Sequence, residues 1–196
     1  LGGSFNPAHA GHLFISRVAL RRLGLHAVWW LVSPGNPLKP RTGMAPFTRR
    51  LASARSLAAD PRLVVCDLES ILGYRYTADT VRALTRRFAA TRFVWLIGAD
   101  NLLQLPRWRR WESILDRVTV AVFPRQPYSI SVSGCRVGGR YRARRLPTRA
   151  ARQVARRRPP AWVILSHQAH PLSATALRRA GLFPDAAPGG ENATAP

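Results

Sequence analysis

Four short, almost wholly apolar runs constrain this chain more than anything else in it: residues 28–32 (VWWLV), 93–97 (FVWLI), 118–123 (VTVAVF) and 162–165 (WVIL). None approaches the roughly 18 residues that a membrane-spanning helix needs. All are too uniformly apolar for a strand with one wet face, and fit strands covered on both sides. A fifth strand is expected at 63–66. Helical patterning fills the intervals. Residues 13–23 place Phe14, Val18 and Leu20 on an apolar side and stop at Gly24. Residues 47–59 stop before Pro61, and residues 77–88 begin at Thr77, a capping residue type, with Asp79 in the favourable first turn. Strands alternating with helices predict an α/β fold, a mostly parallel sheet with helices on both faces. Such sheets bind ligands beyond the carboxyl ends of their strands. Residues 129–133 fit an edge strand, 147–158 a helix and 173–179 a short helix. One domain is expected over 1–183, with a flexible Pro-, Gly- and Ala-rich tail over 184–196. The numbering starts at Leu1, directly against two glycines, so the first strand is expected to be incomplete or to precede it.

The polar motifs fall where that architecture wants a ligand. The first reads Gly2-Gly3-Ser4-Phe5-Asn6-Pro7-Ala8-His9-Ala10-Gly11-His12. The paired glycines read as a tight turn that lets the backbone approach a phosphate. His9 and His12, three apart at a helix start, can donate to phosphoryl oxygens where free N–H groups already favour an anion. A single histidine there would be structural; the pair with Gly11 between is a phosphate site of the HxGH kind. Neither GxGxxG nor GxxxxGK[ST] occurs. Lys39 ends the loop Ser33-Pro34-Gly35-Asn36-Pro37-Leu38-Lys39 and is the single lysine of the sequence; it is either a surface residue or a compact ammonium retained for a substrate contact. Gly98 and Asp100 follow the central strand, where a carboxylate can accept ribose hydroxyls or cap the next turn. Trp108 and Trp111, at helical spacing, pack into the core together, or Trp108 stacks on a substrate ring. Ser173, Thr175 and Arg178 form a helix cap or a second phosphate contact.

Composition narrows the classes. A net charge of +22 with 31 basic residues invites a polyanion. Yet with Lys39 alone as lysine the bias reads in part as compositional drift, and no zinc-finger, KH or RRM pattern is present. Nucleic-acid binding is therefore not expected, although no Asp or Glu occurs between Asp116 and Asp185 and residues 136–158 are densely basic. Cys66 and Cys135 make no disulfide framework, Cys66 reads as a small buried hydrophobe, and no metal-ligand set is apparent. A reducing cytoplasmic setting is the default.

The segments GGSFNPAHAGH, SPGNPLK, YTADT, GADNLLQLPRWRRW and SATALR, in that order from residue 2 to residue 178, resemble the bacterial nicotinate-nucleotide adenylyltransferases. HxGH alone marks a superfamily; its combination with YTADT and GADN is far more specific. The resemblance implies a Rossmann-like nucleotidyltransferase fold. It also implies transfer of the adenylyl group of ATP to nicotinate mononucleotide, with Mg²⁺ arriving on the ATP. It would place Gly2, Gly3, Ser4, Phe5, Gly98 and Asp100 on the ATP side, and His9 and His12 on its phosphates. Lys39, Ser173, Thr175 and Arg178 would lie at the phosphates too, and Asn36, Thr77 and Trp108 at the pyridine nucleotide. The last motif departs from the family's ISSTxIR at Leu172, Ala174 and Leu177, which removes one hydroxyl. The nearest alternatives are a phosphopantetheine adenylyltransferase, which YTADT and the Trp108 region disfavour, and a nicotinamide-mononucleotide enzyme, which turns on a few local contacts. A basic nucleic-acid-binding module would leave the histidine pair unexplained. Oligomeric state carries no signal.

Overall fold

The computed structural model describes residues 1–35, 43–124 and 134–165. The expected edge strand at 129–133, the helix at 173–179 and the tail lie outside them. The described strands are β1 (Gly2–Gly3), β2 (Val28–Val32), β3 (Leu63–Cys66), β4 (Val94–Gly98), β5 (Thr119–Phe123), β6 (Arg145–Leu146) and β7 (Trp162–Ile164). All pairings are parallel, in two sheets ordered β1-β2-β3 and β4-β5-β7-β6 rather than the one expected. The two meet at their edge strands β1 and β4. There the Trp95 ring lies 3.0 Å from where a Cβ on Gly2 would stand.

The apolar runs have the cause expected of them. Trp30, Val32, Leu96, Ala121, Phe123 and Val163 enter one core cluster, while their strand neighbours Leu31, Trp95, Ile97, Val120, Val122 and Trp162 enter another. Successive strand residues point to opposite faces, and both faces are covered. The first cluster packs under α1 (Ala10–Leu23), α2 (Phe47–Leu57) and the 3-10 helix Thr148–Arg156. The second packs under α4 (Thr77–Arg87), which follows the short α3 (Leu68–Ile71), and under α5 (Ala99–Gln104) and α6 (Trp111–Leu115). The short α7 (Arg136–Arg140) adds Val137 to the second cluster. α1 ends as its sequence dictates, with Gly24 left-handed at φ 65° and Arg21 and Arg22 in the last turn.

Several local expectations are corrected. Gly2 and Gly3 form extended β1 rather than a turn; Gly2 is needed because Trp95 covers it, and the turn comes later, at Phe5 with φ 47°. The first helix starts at Ala10, not residue 13, because His9 caps it. Thr77 does not cap α4: Tyr76 holds that position and Thr77 is the first helical residue. Trp108 and Trp111 do not share a helix face. Trp108 is extended (ψ 142°) after the 3-10 turn Leu105–Arg107, Arg110 is left-handed at φ 52°, and α6 starts only at Trp111. The expected helix at 147–158 is the 3-10 segment Thr148–Arg156, kinked at Ala150. Cys66 is half-buried at the end of β3 rather than buried, and Cys135 is likewise half-buried. No helix among the described residues is long and apolar enough to cross a membrane.

Candidate active site

The site begins at the start of α1, where the two histidines cap the helix with their own rings. The His9 ring accepts the Gly11 N–H at Nδ1 (3.1 Å), and the His12 ring accepts the His9 N–H at Nδ1 (3.1 Å). This is a reciprocal capping box with imidazoles in place of hydroxyl and carboxylate. A nitrogen that accepts carries no proton. Each neutral ring therefore keeps its proton on Nε2, the one tautomer that satisfies the cap. Folding α1 thus fixes two N–H donors, with ring centroids 4.0 Å apart, at a helix end that already favours an anion.

The pair stands on the core. His12 packs on Phe5 (4.6 Å between centroids) and Phe5 stacks on Trp30 (5.2 Å). Trp30 is fully buried and donates its indole N–H to Ser16 Oγ (2.8 Å), which in turn donates to the His12 carbonyl (2.8 Å). Phe5 pays for this place in backbone strain, since a left-handed φ costs a side-chain-bearing residue about 1–2 kcal/mol. Ser4 and Asn6 on either side are held by hydrogen bonds. Asn6 donates to the Gly43 carbonyl (2.8 Å) and accepts from the Ala45 N–H (3.1 Å). Arg50, only 1 % exposed, donates to the carbonyls of Ala45 (2.9 Å), Ser4 (2.6 Å), Ser33 (2.7 Å) and Pro34 (3.2 Å). Burial lowers its pKa, and arginine stays charged nonetheless.

At the carboxyl end of β4, Gly98 precedes α5 and Asp100 sits in its first turn. A Cβ on Gly98 would lie 2.5 Å from Asp100 Oδ1. The glycine therefore makes room for this carboxylate, which gives Gly98 a reason beyond the close approach of a sugar.

The YTADT segment and the tryptophan segment are tied together. Asp79 pairs with Arg110 (2.8 Å) and Arg82 (3.3 Å), and Arg109 lies over the Tyr76 ring at 5.0 Å. Thr77 and Trp108 thus belong to linked loops. Trp108 is half-buried against the second core cluster and Trp111 is 5 % exposed within it. Only Trp111 is plainly a core residue. Thr80, wholly buried, donates to Glu69 Oε1 (2.9 Å). Burial of Glu69 raises its pKa, against the opposing pull of hydrogen bonds from Thr80 and Ser33.

Among the sequence candidates, Gly2, Gly3, Ser4, Phe5, His9 and His12 form one contiguous cradle, Gly98 and Asp100 the end of β4, and Thr77 and Trp108 the linked loops. Asn36, Lys39, Ser173, Thr175 and Arg178 lie outside the described residues. Sequence reasoning missed Arg50, Glu69 and Thr80. Arg50 had a signal: with Phe47, Leu51 and Ala54 it lies on the apolar side of α2, an odd place for an arginine. Among the described residues no group of three or more His, Cys, Asp or Glu could hold a metal ion. A cavity of about 700 Å³ lies at the other end of the strands, between the starts of β2 and β4, and contains none of the candidate residues.

Residues 1–180 match the family model described as cytidylyltransferase-like. A protein of Gluconobacter oxydans named "Probable nicotinate-nucleotide adenylyltransferase" is 52% identical over 185 residues, 93% of this chain and 94% of that one. One of Methylorubrum extorquens with the same name is 51% identical over 177 residues, 90% of this chain and 96% of that one. This chain belongs to the nicotinate-nucleotide adenylyltransferase family. The fold agrees: a nicotinic acid mononucleotide adenylyltransferase of Plasmodium falciparum, solved in complexes with APC and with NaAD, superposes with a TM-score of 0.65. That alignment covers 91% of this chain and 80% of the other, at 14% and 15% identity for the two complexes. Members of the adenylyltransferase family are nucleotidyltransferases, so the imidazole-capped helix belongs to an enzyme.

Proposed function

We propose that this enzyme transfers the adenylyl group of ATP to nicotinate mononucleotide, giving deamido-NAD and pyrophosphate. The observation that carries the reading is the imidazole capping box: two Nε2–H donors, preset by folding, at the end of a helix that attracts phosphate. Family membership supplies the substrates.

The nucleophile is the phosphate of the mononucleotide, already ionised, so no enzyme base and no covalent enzyme intermediate are required. One of its oxygens attacks the α-phosphorus of ATP in line. The bond from that phosphorus to the bridging oxygen of the β-phosphate breaks, and pyrophosphate leaves with the electron pair. The enzyme's work is positioning and charge stabilisation. His9 and His12 donate to the phosphoryl oxygens as charge builds on them. Gly2, Gly3, Ser4 and Phe5 line the ATP side of the cradle, and Gly98 and Asp100 hold the adenosine. Lys39, Ser173, Thr175 and Arg178 contact the phosphates. Asn36, Thr77 and Trp108 receive the nicotinate nucleotide, with Trp108 stacked on its ring. Mg²⁺ enters as part of the Mg·ATP substrate. The strongly basic surface attracts both anionic substrates, and a cytoplasmic setting fits two cysteines that form no disulfide.

The test follows the phosphorus. With ATP labelled at the α-phosphate, the label must appear in deamido-NAD. Label in pyrophosphate, or none transferred to the dinucleotide, contradicts the proposal.

A further inference from the structure

We infer that Arg50 is a positioning residue for the phosphate cradle, and that with Asn6 it holds three converging segments in register around His9 and His12. The reasoning starts from cost. A guanidinium 1 % exposed has lost nearly all its hydration, and such burial is unfavourable unless every donor is met. The bonds that meet these donors run to main-chain carbonyls rather than to a carboxylate: Ser4 after β1, Ser33 and Pro34 after β2, and Ala45 before α2. Those segments are separated in sequence by 16 to 46 residues from Arg50, apart from Ala45. A fork of fixed geometry is what can hold carbonyls from separate loops at set angles, and lysine cannot reproduce it.

The segments are also the ones that carry the chemistry. The Ser4 carbonyl immediately precedes Phe5, the left-handed residue on whose ring His12 packs at 4.6 Å. Asn6, on the other side of Phe5, ties the same turn to Gly43 and Ala45. Arg50 and Asn6 therefore fix Phe5 from both flanks, and through it the direction of the His12 Nε2–H. An error of a fraction of an ångström in that donor is felt at the transition state before it is felt in substrate affinity.

The inference rests on the proposed reaction only for its assay. Arg50→Lys keeps the charge and loses the fork. Per mole of folded protein its kcat should fall about 10- to 100-fold, with KM for ATP changed less than about threefold. Arg50→Gln should be no worse than Arg50→Lys by more than about threefold. In a His12→Asn background the same Arg50→Lys change should cost less than about threefold further, because the donor it positions is gone. A kcat within twofold of wild type, or losses that simply multiply, would overturn the proposal: a merely structural arginine lowers the melting temperature and leaves the turnover of folded enzyme alone. Where Arg50→Lys melts below the assay temperature, Asn6→Ser is measured in its place against the same two thresholds. Wild-type turnover is measured first. Its absence counts against the reaction itself, and the positioning role is then read from the His12 ring, by comparing its imidazole NMR resonances in wild type and Arg50→Lys. Unchanged His12 resonances overturn the positioning role, and a change at His12, which packs on Phe5, upholds it.

Discussion

His9 has two jobs that a pair of substitutions can separate. Its Nδ1 accepts the Gly11 N–H and caps α1, while its Nε2–H is the proposed donor to the phosphates. Asparagine places an oxygen close to where Nδ1 stands and is among the best N-cap residues, but it has no group at the position of Nε2. Alanine supplies neither. Loss of an N-cap costs about 1 kcal/mol, which for a chain of this size lowers the melting temperature by about 2–4 °C. Loss of one preorganised donor at the transition state costs about 10²–10³ in kcat. His9→Asn should therefore melt within about 1 °C of wild type and turn over about 10²-fold more slowly, on the same reference scales. His9→Ala should show both losses. Scanning calorimetry gives the first quantity and steady-state pyrophosphate release the second. The reasoning is refuted if His9→Asn retains wild-type kcat, since the ring would then be a cap and nothing more, or if His9→Ala melts like wild type, since the cap would then carry no stability.

Three further outcomes follow from the geometry. Gly98→Ala places a Cβ against Asp100 Oδ1; displacement of the carboxylate should raise KM for ATP about tenfold and leave KM for the mononucleotide unchanged, which initial-rate kinetics with each substrate varied will show. Trp111→Ala empties a buried site and should lower unfolding stability by about 3–5 kcal/mol in urea titration, whereas Trp108→Ala should chiefly raise KM for nicotinate mononucleotide. Burial raises the pKa of Glu69 in the folded state. The folded protein therefore favours the protonated form, and that stabilisation, full at low pH, is lost as pH rises through the raised pKa. Glu69→Gln mimics the neutral form, so its melting temperature should gain on wild type between pH 4.5 and pH 7.5; a difference independent of pH would contradict the assignment.

The parts of this molecule that were legible in the sequence are those where one physical demand dominates. Val28–Val32 coincides with β2 because four of its five residues are buried and Trp29 is half-buried, and Leu63–Cys66 coincides with β3. The placing of the histidine pair at a helix start was legible because glycine, histidines and helical pattern are contiguous in the sequence. What escaped was decided by tertiary context. Gly2 and Gly3 were read for their freedom to turn, but the Trp95 ring, 95 residues into the chain, is what requires a glycine at Gly2. The helices α3, α5, α6 and α7 are four to six residues long, shorter than the window in which a 3.6-residue period can be recognised. Trp108 and Trp111 were placed on one face because their spacing allowed it, and left-handed Arg110 between them breaks it. Arg50 carries no local mark among so many arginines except its place on the apolar side of α2.

The most direct measurement compares pyrophosphate release from ATP and Mg²⁺ with nicotinate mononucleotide and with nicotinamide mononucleotide, at equal concentrations. The account predicts rapid release with the nicotinate form and a rate lower by at least about tenfold, some 1.4 kcal/mol, with the nicotinamide form. Equal rates would keep the adenylyl transfer and remove the carboxylate preference; no release with either would contradict the proposed function.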